Sequence, residues 1–384
     1  MTTIEHVRGE HRARWLGTVD EAYAEMQRRI DEARISVRVE TYLMREEGPA
    51  QWLRESLLRA RERGVNVWLL MDAFGCEGIS KEFLAPLREA GVRAAFFNPN
   101  RFLRRTFRNH RKLLACDGEH AVVGGFNIAP EYAGDGVTHG WCDAGAYVGG
   151  PVVKELEQGF DAMFGLAPFT PHAIQRFRRA MRALRAAHSP DAPVRPLHSG
   201  PRLRRGVLGH TLRRDVRASR DVAIASAYFL PSSLLRRQLY RIACGPGRVR
   251  VLLAGNSDVP LARLAAQRLY TRLLSRRVRV YEYQPQILHA KVMVMDSIAW
   301  VGSANLDRRS LAINYELQLR FDWPELAADA RAWMMQALHH SALVRLSRWR
   351  RANGWWLRLK TQFAYLVLAR LDPLLARRGT RGLF

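Results

Sequence analysis

The stretch His110-Arg111-Lys112-Leu113-Leu114-Ala115-Cys116-Asp117, followed by Gly124-Gly125-Phe126-Asn127, decides how this chain is read. It occurs twice. The second copy is His289-Ala290-Lys291-Val292-Met293-Val294-Met295-Asp296, followed by Gly302-Ser303-Ala304-Asn305. Both copies read H-x-K-x4-D, then a small-residue turn G-[GS]-x-N. Their histidines lie 179 residues apart in a chain of 384. One such pattern arises often by chance. Two copies in like contexts predict two similar halves facing each other.

The flanking sequence repeats as well. Ahead of the first copy, helical spacing over 18–33 precedes an alternating strand at 35–42. An amphipathic helix over 48–63 stops at Gly64, a residue suited to the turn after a helix. A buried strand over 65–71 runs into Asp72, a helix covers 80–90 and a strand 92–97. The motif adds a strand at 111–116, a tight turn at Asp117-Gly118 and a partner strand at 121–125. Trp141-Cys142-Asp143 opens a further strand through Val148, and a helix over 152–164 closes the half. The second half repeats the plan, with helices at 204–219, 232–243 and 259–275 and strands at 221–230, 248–254 and 278–283. A strand at 315–321 and a helix over 323–338 end it. This alternation predicts an α/β fold, with a mixed β-sheet flanked by helices in each half.

The halves cover 1–170 and 194–340. Between them, 171–193 holds a strongly basic helix striped by Ile174, Phe177, Met181 and Leu184. A linker follows, marked by Pro190, Pro193 and Pro196. The tail, 341–384, interleaves Trp349, Trp355, Trp356, Leu359 and Phe363 with Arg and Lys. That mixture suits a helix in a lipid headgroup layer, or a helix packed on the domain with a solvated basic side.

Lys and Arg total 61 against 36 acidic residues, a net charge of +25. Such an excess implies an anionic partner, whether nucleic acid, phospholipid headgroups or a phosphorylated substrate. The 4 cysteines form no C-x-x-C and no zinc spacing, so they read as reduced thiols in a cytosolic setting. The N-terminus has no apolar signal-peptide core, and no run approaches the ~18 apolar residues of a membrane span.

Residues two apart on a strand share a face. His110 with Lys112, and His289 with Lys291, therefore project together. The candidate catalytic set is His110, Lys112, Asp117, His289, Lys291 and Asp296. Within it the two aspartates fall at turns and brace the hairpins rather than react. Asn127, Ser303 and Asn305 lie near as phosphate-binding donors. Asp143 and Glu316, in matching strands, are candidates to hold the far nitrogen of each histidine. Two ammonium groups with neutral donors, lacking a metal-ligand set, suit a phosphodiester and call for no cofactor. Arg101, Arg104, Arg105, Arg108 and Arg111 lead into the first motif and are expected to line the mouth of the site. His172, His198, His339 and His340 show no pattern and read as surface residues.

At these residues the chain resembles the phospholipase D superfamily with its paired H-K-D motifs. Glu40-Thr41-Tyr42, Asp72, Asn109 to Lys112, Tyr228-Phe229-Leu230-Pro231 and Gly302 to Ser310 look like the bacterial cardiolipin synthase subgroup without N-terminal transmembrane helices. The resemblance implies two phospholipase D-like halves related by a pseudo-two-fold, with the active site between them. It also implies metal-independent transfer of a phosphatidyl group from phosphatidylglycerol to a second phospholipid through a phosphohistidine. His110 is then the expected nucleophile and His289 the acid and base. A phospholipase D hydrolase, a nuclease and a non-catalytic binding protein are the alternatives. The expected partners are anionic phospholipids at the cytoplasmic side of the inner membrane, with no nucleic acid and no obligate protein partner. Gly125 departs from the pattern, standing where the first G-S-x-N has serine. Cys142 stands where a basic residue is frequent.

Overall fold

The computed structural model describes residues 4–99, 107–187, 192–201 and 207–372. The first half begins with a hairpin, β1 (His6–Arg8) and β2 (His11–Leu16). Then come α1 (Val19–Glu32), β3 (Ser36–Thr41), α2 (Pro49–Glu62), β4 (Asn66–Asp72), α3 (Lys81–Glu89) and β5 (Arg93–Phe97). The motif hairpin, β6 (Leu113–Cys116) and β7 (His120–Gly124), leads to β8 (Gly145–Gly149) and α4 (Val152–Leu166). The basic helix is α5 (Pro171–Ala187).

The second half runs β9 (Val194–Ser199), α6 (Val207–Ala218), β10 (Asp221–Ser226), α7 (Ser233–Cys244), β11 (Arg248–Ala254), α8 (Pro260–Ser275) and β12 (Arg279–Tyr283). Its motif hairpin is β13 (Lys291–Met295) and β14 (Ile298–Gly302), followed by α9 (Arg308–Ala312), β15 (Glu316–Asp322) and α10 (Pro324–His339). The tail adds β16 (Ser341–Leu343), α11 (Leu346–Ala352) and α12 (Trp355–Leu366).

Local chemistry sets these boundaries. Thr18 accepts from the Glu21 amide and Ser80 from the Phe83 amide, each satisfying an otherwise unpaired donor at a helix start. Gly64 ends α2 at φ +82°, a conformation that costs glycine little.

Two eight-stranded sheets result, ordered β1-β2-β8-β7-β6-β3-β4-β5 and β16-β12-β11-β10-β13-β14-β15-β9. Without the added edges β1 and β16, the first reads β2-β8-β7-β6-β3-β4-β5. The second, taken from its other end, reads β9-β15-β14-β13-β10-β11-β12, the same order. In each, the three strands β3-β4-β5 or β10-β11-β12 are parallel and the rest antiparallel.

The motif strands are buried on both faces, which is why they read as unbroken apolar runs. Leu113 and Ala115 join a central core together with Val292 and Val294 of the other half. Leu114 and Cys116 turn to an outer core under α1, α2 and α3, and Met293 and Met295 to its counterpart under α6, α7 and α8. The two sheets thus share one apolar layer between them.

The structure departs from the sequence reading in three places. The hairpin β1-β2 extends the first sheet, its alternation (Ala13 and Trp15 inward, Arg12 and Arg14 outward) being short. Val194–Ser199 is a strand where prolines suggest a linker. Pro196 pairs with Leu319 inside it, which is tolerable because β9 is the sheet edge. The strand expected from Trp141 begins only at Gly145, because Cys142 leaves the sheet to bridge Leu288. The expected helix start at 204 and most of the Pro-marked linker lie outside the described residues.

The tail packs on the second half. Thr361 and Ala364 of α12 are buried against α8, and the Trp349 indole donates to Thr271 Oγ1 at 3.0 Å. The other side of α12 shows Trp355, Trp356, Leu359, Phe363 and Leu366 to solvent, with Trp355 76% and Phe363 63% exposed. Among the described residues no helix is long and apolar enough to cross a membrane.

Candidate active site

Each motif histidine sits just ahead of a central strand, at the point where the chain leaves one half to meet the other. The His110 amide donates to the Tyr315 carbonyl at 2.9 Å, and the Tyr315 amide to the Arg108 carbonyl at 2.9 Å. The twin arrangement has His289 donating to the Cys142 carbonyl at 2.8 Å and Cys142 to the Ile287 carbonyl at 2.9 Å. Glu316 follows Tyr315 and Asp143 follows Cys142, so each backbone bridge delivers a carboxylate to the opposite histidine. His110 Nδ1 lies 3.0 Å from Glu316 Oε2, and His289 Nδ1 lies 2.7 Å from Asp143 Oδ2. Both carboxylates are named from the sequence; their crossing between halves is not.

The two histidines are not equivalent. His110 Nδ1 also lies 3.1 Å from the Ser303 carbonyl oxygen, which can only accept. Nδ1 therefore carries the proton, and Nε2 keeps its lone pair. On His289, Nε2 is met by Lys291 Nζ at 3.0 Å and by the Tyr132 hydroxyl at 3.4 Å. Burial is the largest cause lowering both, His289 to about 4 and His110 well below the ordinary range, with the nearby lysines adding to it.

The lysines lie just behind the histidines. Lys112 Nζ donates to the His110 carbonyl at 2.8 Å, and Lys291 Nζ to the His289 carbonyl. Desolvation pushes Lys112 down to about 7 and Lys291 to about 8. The same burial pushes Glu316 up to about 8.

The histidines open into a cleft of about 810 Å³, which Asn127 and Asn305 also line. Aromatic rings fix the imidazoles: Tyr42 lies 4.7 Å from His110, and Tyr132 and Trp141 lie 5.0 and 5.4 Å from His289. Tyr132 carries no sequence signal, whereas Tyr42 and Trp141 sit inside stretches the sequence singles out.

The asparagines are equivalent. Asn127 Oδ1 accepts from the Leu43 amide at 3.2 Å and Asn305 Oδ1 from the Tyr228 amide at 3.4 Å. Ser303 is fully buried and its hydroxyl donates to Glu316 at 2.6 Å, so it serves the carboxylate rather than a phosphate. At Gly125, its counterpart, an added Cβ would stand 2.4 Å from Asp143 Oδ1. The glycine is what lets Asp143 come so close.

Arg111 and His198 stand elsewhere than expected, and the two motif aspartates stand away from the cleft. Asp117 and Asp296 do not line the cleft. They sit at hairpin turns with φ +58° and +49°, where Asp117 accepts the amides of Arg34, Ile35 and Ser36, and Asp296 those of Arg220 and Asp221. They brace their hairpins, at a position where a short acidic side chain can satisfy several amides. Arg111 is buried and faces Glu40 at 3.2 Å instead of the mouth, whereas Arg108 does line the cleft. His198 is half-buried against Gly159 of α4. Arg101, Arg104 and Arg105 lie outside the described residues.

Among the described residues no group of three or more His, Cys, Asp or Glu is placed to hold a metal ion. The cleft presents two imidazoles, each with a carboxylate and a buried lysine behind it. That set can pass a group through nitrogen and move a proton on either side of it.

Comparison with solved structures shows the fold. A phosphatidylserine synthase of Haemophilus influenzae is 14% identical, with a TM-score of 0.70 over 97% of this chain and 96% of that one. A polyphosphate kinase of Porphyromonas gingivalis is 14% identical, with a TM-score of 0.57 over 93% of this chain and 54% of that one. At the sequence level, a cardiolipin synthase of Geobacillus is 31% identical over 309 residues, 78% of this chain. The chain spans 60% of that relative's length. Cardiolipin synthase B of Shigella flexneri is 31% identical over 306 residues, 77% of this chain and 73% of the relative. The family model described as cardiolipin synthase, PLD-like domain, matches residues 26–163 and 216–338, one block on each motif. With both blocks present, and the two motifs closing on one cleft, the chain belongs to the phospholipase D-like cardiolipin synthase family.

Proposed function

We propose that the protein is a phosphatidyltransferase. It moves a phosphatidyl group from phosphatidylglycerol to the hydroxyl of a second phospholipid through a phosphohistidine. The observation that carries this reading is the crossed pairing of His110 with Glu316 and His289 with Asp143 at one cleft.

His110 is the nucleophile, supported by the proton on its Nδ1 and its contact with the cleft. Nε2 attacks phosphorus, an N–P bond forms, and the bond from phosphorus to the glycerol oxygen breaks. The anionic diester favours the imidazolium form of His289, which gives its proton to the departing oxygen. The acceptor hydroxyl then attacks phosphorus, the N–P bond breaks, and His289 takes the proton. Lys112 and Lys291, with Asn127 and Asn305, oppose the charge spread over the phosphoryl oxygens.

The partner is an anionic membrane surface. Support comes from the net charge of +25 and from the exposed Trp355, Trp356, Leu359 and Phe363 on α12, beside exposed Arg351, Arg358 and Lys360. The attachment is peripheral, on the cytoplasmic face of the inner membrane.

The test is incubation with phosphatidylglycerol vesicles and mass spectrometry of the lipids. Cardiolipin is the expected product, and EDTA leaves its rate unchanged. Phosphatidic acid alone makes the protein a hydrolase. DNA cleavage without lipid turnover makes it a nuclease.

A further inference from the structure

The two walls of the cleft match in backbone and differ in chemistry. Asn127 and Asn305 take the amides of Leu43 and Tyr228, so these two residues occupy the same position in the two halves. A second contact agrees. Thr41 Oγ1 donates to the Leu43 carbonyl and Ser226 Oγ to the Tyr228 carbonyl, each at 2.9 Å. Both Leu43 and Tyr228 line the cleft. The first half therefore offers an alkyl side chain where the second offers a phenol.

That phenol is not alone. Its hydroxyl donates to Asp258 Oδ2 at 2.6 Å, and Asp258 also lines the cleft, from the loop between β11 and α8. The other oxygen, Asp258 Oδ1, lies 3.4 Å from the Ser257 hydroxyl. The carboxylate is exposed and keeps acceptor capacity for a ligand. It stands on the His289 side, near enough for its charge to raise both His289 and Lys291. Across the cleft the first half places Arg45 and Arg108.

A carboxylate at this point of the wall favours the neutral, hydroxyl-rich part of a headgroup over its phosphate. Transfer needs such a group twice. A glycerol headgroup leaves in the first step, and a hydroxyl of another enters in the second. Water can enter too, and gives hydrolysis. Discrimination requires contacts that water cannot make while its oxygen is at phosphorus. A diol can, because one hydroxyl attacks while its neighbour bonds to the wall.

We propose that Tyr228 and Asp258 form the acceptor subsite, holding one hydroxyl of a polyol headgroup so that the adjacent hydroxyl faces His289. In that step the acceptor oxygen bonds to phosphorus, the N–P bond to His110 breaks, and the proton passes to His289. Tyr228 and Asp258 are positioning residues. This inference rests on the phosphatidyltransferase reading.

The experiment sets acceptors against each other. Phosphatidylglycerol vesicles are incubated with equal concentrations of deuterated glycerol and 1-propanol. Labelled phosphatidylglycerol, phosphatidylpropanol, phosphatidic acid and released unlabelled glycerol are then measured together. The wild type should favour glycerol over propanol. Asp258→Asn and Tyr228→Phe, which keep side-chain size, should each lower that preference by roughly tenfold. Both should raise the share of phosphatidic acid among the products. An unchanged preference in both variants overturns the inference. So does an unchanged share of phosphatidic acid in variants whose circular dichroism is unaltered, since a lost diol contact must let water compete. If the wild type turns over no lipid, the phosphatidyltransferase reading fails instead.

Discussion

Four buried positions beneath the two motifs are filled in opposite ways. In the first half they are Glu40, Asp72, Asn109 and Arg111, all nearly inaccessible to solvent. In the second, the same places in the strand register and the motif hold Ala225, Ala254, Leu288 and Ala290, equally buried. The polar set is well connected. Asn109 Nδ2 donates to Glu40 at 2.7 Å, the Asn109 amide donates to Asp72 at 2.8 Å, and Arg111 pairs with Glu40 at 3.2 Å. Burial raises Asp72 to about 6 even so. Since the second half reaches the same strand order without these charges, the fold does not demand them. A buried ion pair is a poor source of stability. What it supplies is a fixed path for the backbone into His110, the histidine whose Nε2 is poised in the cleft.

The largest expected effect falls on the histidines themselves. His110→Ala and His289→Ala each reduce phosphatidyl transfer by on the order of a thousandfold or more, as loss of a nucleophile or its acid does. Initial rates on phosphatidylglycerol vesicles check this. If either variant keeps a tenth of the rate, the two-histidine mechanism is wrong.

The polar network is next. Arg111→Ala leaves Glu40 buried without its cation and lowers stability by about 3–5 kcal/mol, read by urea denaturation. Adding Glu40→Ala removes the stranded charge and recovers part of that loss. A double variant no better than the single one contradicts the comparison.

Titration separates the lysines from ordinary surface groups. A lysine is charged below its pKa, and here the pKa is depressed, so charge is lost as pH rises through about 7 for Lys112 and about 8 for Lys291. The value of kcat/KM should therefore fall between about pH 7 and 8, well short of the normal lysine range. A profile flat to pH 10 counts against these lysines as the phosphate ligands.

The smallest effect tests the carboxylate supports. Gly125→Ser puts a side chain where Asp143 now sits, within 2.4 Å of its oxygen, and moves that carboxylate off His289. Transfer falls by roughly tenfold, while Ser303→Ala, which removes the hydroxyl donor to Glu316, costs several-fold. Equal rates in all three proteins would mean that the carboxylates do not position the rings.

Much of this was legible in the order of residues. The repeat names His110, Lys112, His289 and Lys291, and the flanking periodicity gives the parallel strands and their helices. Asp143 and Glu316 are found as candidates because they stand at matching places in the repeat, just ahead of β8 and at the start of β15. The crossing is not legible, since it follows from how two sheets pack through one core, and no local pattern encodes that. Tyr132 is missed for the same reason, reaching His289 from 157 residues away. Pro196 misleads because a proline signals an end to structure unless the strand is an edge, and edges are a property of the whole sheet. Arg111 misleads because its partner, Glu40, lies on another strand.

The central claim is that the two halves share one covalent step, carried on His110. It is tested most directly by trapping. His289→Ala protein is mixed with phosphatidylglycerol vesicles, quenched in alkali and digested, and the peptides are read by mass spectrometry. A phosphatidyl adduct on the peptide bearing His110, absent from His110→Ala protein, is the predicted result. An adduct on the peptide bearing His289 in the wild type, with His110 unmodified, would contradict it.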